Sequence, residues 1–87
     1  MTEKDQDQLQ AMLQNLQGLV LQHVTALDAP AAEQWMEDAL DEAYSGAPRP
    51  SMVKIFLAEI RKKAPRSHQI GESIDAIEQL LDSAPPR

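Results

Sequence analysis

The chain has 87 residues, no cysteine, 43% apolar and 25% charged residues, and a formal charge of −6 at pH 7. That is one small domain's worth of sequence, and it excludes a disulfide scaffold, a thiolate metal site and cysteine catalysis. The longest apolar run, Ile55 to Ala58, is far short of the roughly 20 residues needed to cross a bilayer.

The first residues, Met1-Thr2-Glu3-Lys4-Asp5-Gln6-Asp7, are acidic and polar where a signal peptide is basic and apolar. With the lack of cysteine, this points to a cytoplasmic chain. Charge is unevenly spread: residues 1–46 carry nine acids against one base, Lys4, whereas residues 47–87 carry seven bases against five acids. A net acidic chain is repelled by phosphate backbones, which argues against general nucleic-acid binding.

The spacing of Leu9, Met12, Leu13, Leu16, Leu19, Val20, Val24 and Leu27 predicts a first helix over about 3–27. Thr2 is placed to cap it, and Gly18 either weakens it or admits a close neighbour. Asp28-Ala29-Pro30 reads as a stop and restart, with Asp28 capping a second helix over about 29–44. Its recurring residues Ala32, Trp35, Met36, Ala39, Leu40 and Ala43 are mostly small, so its axis can approach a partner closely. Ala47-Pro48-Arg49-Pro50 is a linker. Ser51 is the expected cap of a third helix, 52–64, and Ser67 that of a fourth, 68–82, with Ile70, Ile74, Ile77 and Leu81 along one stripe. Residues 83–87 read as a frayed tail. No strand pattern occurs, so the expected fold is all-α: a single domain over 1–82, a compact bundle of four short amphipathic helices.

Motifs for chemistry are absent: no glycine-rich phosphate loop, no nucleophile elbow and no His-Glu-x-x-His. The sequence therefore predicts no enzyme, no cofactor and no metal. Glu33, Glu37, Asp38, Asp41 and Glu42 are expected to face water opposite Ala32, Met36, Ala39 and Ala43. Carboxylates on one straight helix cannot wrap an ion, so a basic protein surface is their expected partner. Arg61, Lys62, Lys63 and Arg66 gather at the end of the third helix, where cations suit the helix dipole, and are also the expected basic face for an acidic partner or a second copy. A helix-turn-helix reading of this stretch is opposed by Glu72, Asp75, Glu78 and Asp82 on the helix that would enter DNA. His23 falls within the apolar arc of the first helix and is expected to be packed or at an interface, with His68 exposed.

Two irregularities suggest docking. Ile55 lies almost opposite the Val53, Phe56, Leu57 and Ile60 face, with Met52 at its edge, and Leu21 lies off the first helix's stripe beside Gln10, Gln14 and Gln17. The expected function is a small acidic interaction module that docks or self-assembles through Leu21, Met52 and Ile55 and through oppositely charged faces. Its partner is another protein or a second copy. The rival is an acidic inhibitor that mimics nucleic acid in a basic groove.

Overall fold

Four helices are present in the computed structural model, which describes residues 2–83: α1 over Glu3–His23, α2 over Ala29–Ala43, α3 over Pro50–Lys63 and α4 over His68–Ser83. Each buries residues spaced by alternating steps of four and three. These are Leu9, Leu13, Leu16 and Val20 in α1; Ala32, Met36, Ala39 and Ala43 in α2; Val53, Leu57 and Ile60 in α3; and Ile70, Ile74, Ile77 and Leu81 in α4. A period near 3.5 residues keeps one stripe facing its neighbours along the whole helix, which is how bundles form a core. Among the described residues no polar or charged side chain is buried.

Side-chain contacts fix the topology. Gln10 reaches the Ala43 carbonyl, Trp35 stacks against Phe56, Glu42 meets Arg49, and Lys54 meets Asp82 while Arg61 meets Asp75. Between α2 and α3, and again between α3 and α4, the residue numbers of the two contacts run in opposite senses, so α2, α3 and α4 are consecutively antiparallel. α1 packs on α2 and α4, and α3 packs on the same two, while the diagonal pairs do not approach. The result is an all-α four-helix bundle with a radius of gyration of 12.2 Å, close to the value of about 12 Å expected for a compact chain of this length. Ala32, Ala39 and Ala43 of α2 are fully buried, and the Trp35 and Phe56 rings lie 5.9 Å apart at the α2/α3 seam.

The helix ends show where local chemistry overrides periodicity. Thr2 caps α1 through a reciprocal box with Asp5, and Ser67 caps α4 by accepting from the Ile70 amide. The first helix stops at His23, not Leu27. Val24 is extended, and the amides of Asp28 and Ala29 both turn back to the Thr25 carbonyl. The β-branched pair Val24-Thr25 is a poor helix continuation, and a tight turn must precede Pro30. Leu27, expected on the buried stripe, is therefore 90% exposed, and His23 is exposed instead of packed. Asp28 makes no side-chain capping bond to α2 and meets the Thr25 hydroxyl instead.

The second helix ends one residue earlier than expected. The third starts at Pro50, because proline suits a first helical position, so Arg49 and not Ser51 precedes it. It ends at Lys63, and α4 extends to Ser83. The rest of the expected tail lies outside the described residues. Gly18 has open space around its Cα, so no neighbour requires it.

Candidate functional site

The five carboxylates of α2 do not form one sheet of charge. Glu42 lies against the linker, its side chain only 10% exposed. It accepts from the Arg49 backbone amide at 3.0 Å, from Nε at 3.3 Å and from Nη2 at 2.9 Å. This corrects the expectation that Glu42 faces open water. The Arg49 hydrogen bonds hold the Glu42 carboxyl below its ordinary range, and the same pairing raises Arg49. Asp38 accepts from Gln34 on the outer surface, Asp41 is exposed, and Glu33 and Glu37 lie on the flank toward α1.

Ion pairing sorts the charge of the molecule. Arg61, bound first by Asp75 at 2.6 Å and then by Glu78 at 3.2 Å, ties α3 to α4, and these carboxylates push its guanidinium further toward the charged form. Lys54 pairs with Asp82, and Lys62 with Glu59 at 3.0 Å. Most of the acids of α3 and α4 are thereby matched by bases within the same half. In α1, α2 and their connector, only Glu42 has a cationic partner among the described residues. Of the four bases expected at the end of the third helix, Arg61 and Lys62 are engaged internally. Lys63 and Arg66 have no ion-pair partner among the described residues, and Arg66 sits with His23 and His68 at the bundle's end.

The unmatched half also carries exposed apolar surface. Leu21 is 63% and Tyr44 54% exposed. Gln10, Gln14, Gln17 and Leu21 follow one another on the α2-facing flank of α1, where Gln14 bonds the Tyr44 hydroxyl and Gln10 the Ala43 carbonyl at 3.1 Å. Between the helices is a notch of about 90 Å³ lined by Gln17, Val20, Leu21, Glu33, Met36 and Glu37. Tyr44 was missed in the sequence, where it read only as the end of a helix. Its position seven residues after Glu37 was the available signal.

Ile55 is 53% exposed and Met52 half-buried on α3, with the partly covered Phe56 one turn beyond Met52. α3 is not a central helix, so nothing in the bundle covers Ile55. Leu21 and Ile55 sit on diagonal helices and belong to separate surfaces. No group of metal-binding side chains occurs among the described residues, and no helix among them is long and apolar enough to cross a membrane. Comparison with protein-family models, curated proteins and solved structures finds no match for this chain.

Proposed function

We propose that this chain is a protein-docking module, with no chemistry of its own, that binds through the α1/α2 face. One observation carries the reading: Leu21 and Tyr44 are exposed on the same face where Glu33 and Glu37 lack cationic partners among the described residues. An apolar centre that a partner desolvates, ringed by charge that sets orientation, is the anatomy of a protein interface. A nucleic-acid mimic needs carboxylates in rows and gains nothing from an exposed leucine and tyrosine among them. The Met52 and Ile55 strip is a second, smaller apolar surface. The lack of cysteine fits a cytoplasmic setting.

Affinity capture from extract of the source cells tests this with three baits: the wild-type chain, Leu21→Asp with Tyr44→Ser, and Ile55→Asp. A partner held by the first and third baits and lost from the second supports docking on α1/α2. Equal retention by all three, or no retained protein, contradicts it. A partner that survives Leu21→Asp and is displaced by heparin belongs to the mimic reading.

A further inference from the structure

Resting on that docking reading, we infer that the notch between α1 and α2 receives a lysine or arginine side chain from a basic amphipathic helix of another protein. Core residues close its base, Val20 at 2% and Met36 at 1% exposure, and the exposed Leu21 is its apolar side. Leu21 and Gln17 form the α1 wall, and Glu33 and Glu37 stand one turn apart on the α2 rim. A space of about 90 Å³ is well below the roughly 300 Å³ where small-molecule pockets begin. It suits one long side chain. Lysine and arginine alone offer an aliphatic stem to lie along Leu21 together with a charged head for the rim. Glu33 and Glu37 repel one another across a helical turn, and a cation between them offsets that repulsion by attracting both.

The amphipathic character follows from what flanks the notch. Leu21 and Tyr44 need apolar contacts from the same partner that supplies the cation, and a helix provides both at spacings of three and four. A second copy of this chain is a poorer occupant. Among its described bases, Arg49, Lys54, Arg61 and Lys62 are held in internal ion pairs. That leaves Lys4, Lys63 and Arg66 on α1, at the end of α3 and in the α3/α4 connector, so a copy presents no helix with a row of unpaired cations.

The probe is a synthetic amphipathic helix of about 18 residues, long enough to be helical on binding, with a leucine stripe bordered along its edge by lysines three and four positions away. Its counterpart carries glutamates in place of the lysines. Calorimetry and amide chemical-shift mapping are run on the full chain. The lysine peptide should bind and shift Gln17, Leu21, Glu33 and Glu37. Glu33→Gln with Glu37→Gln should weaken it about tenfold or more. The charge-matched pair Glu59→Gln with Glu72→Gln should change Kd less than about threefold, because those residues stand on α3 and α4, away from the notch, where solvent and salt screen them. Equal loss in both variant pairs, or binding of the glutamate peptide, overturns the inference. Shifts confined to Met52 and Ile55 overturn it while leaving a docking module. If neither the lysine peptide nor a neutral apolar helix perturbs any amide, the docking reading falls with it.

Discussion

Leu21 is a large aliphatic residue that the fold does not need, and Leu21→Gln measures this directly. With 63% of its surface exposed, only about a third of the roughly 1.5–3 kcal/mol available from burying a leucine can be lost, about 0.5–1 kcal/mol. Leucine and glutamine have similar helix propensities, so the backbone contributes little. An unfolding entropy of about 2.1 cal/mol/K per residue gives roughly 0.18 kcal/mol/K for this chain, so Tm should fall about 3–6 °C. Leu16→Ala is the reference. That side chain is fully buried, and its truncation should cost about 3–5 kcal/mol, or more than about 15 °C. Both are read by thermal unfolding followed by circular dichroism at 222 nm, a wavelength about where helix ellipticity dominates for helices of this geometry. If Leu21→Gln destabilises as much as Leu16→Ala, Leu21 is a core residue and the docking face is lost.

Three further outcomes follow from particular contacts. Gly18→Ala should stabilise α1 by about 1 kcal/mol, since Gly18 is helical with open space around it; an unchanged or lower Tm would mean that the position is constrained. Arg61→Gln should lower Tm by no more than the equivalent of about 1 kcal/mol in dilute buffer, because the Asp75 and Glu78 bonds are partly exposed. The deficit should shrink in about 1 M NaCl, where screening acts within roughly 3 Å; an undiminished deficit would point to packing of the guanidinium stem. Glu42 titrates below its ordinary value because of Arg49. Its stabilising contribution is therefore complete above the unfolded value of about 4.3 and disappears as pH falls through the lower folded value. The Tm gap between wild type and Glu42→Gln should accordingly be widest near neutral pH and close in acid; a gap that persists unchanged there would exclude an ionic origin.

The bundle was legible because its signal is periodic. The stripes of Leu9, Leu13, Leu16 and Val20 and of Ile70, Ile74, Ile77 and Leu81 repeat with the period of a helix that buries one side. Thr2 and Ser67 were legible because a capping hydroxyl acts within three residues. The end of α1 was not, because Val24 and Leu27 continue the apolar period while the Thr25 turn breaks it. The partner of Glu42 was also hidden, since pairing with Arg49 depends on how the proline-flanked linker folds back. For the same reason the basic end of α3 looked available: Asp75 and Glu78 meet Arg61 only once α4 lies beside α3. The surplus of acid in the first half was plain in the sequence. Its location beside Leu21 and Tyr44 required the α1/α2 pairing.

The separation of an uncompensated acidic half from an internally paired one can be mapped residue by residue with small paramagnetic cosolutes of opposite charge. Relaxation of amide protons by a cationic and by an anionic probe reports the local potential at each site. Amides around Leu21, Glu33 and Glu37 should favour the cationic probe strongly, while those of α3 and α4 around Lys54, Arg61 and Lys62 should show little preference. Equal preference for the cation over all four helices would contradict the sorting of charge on which the docking face rests.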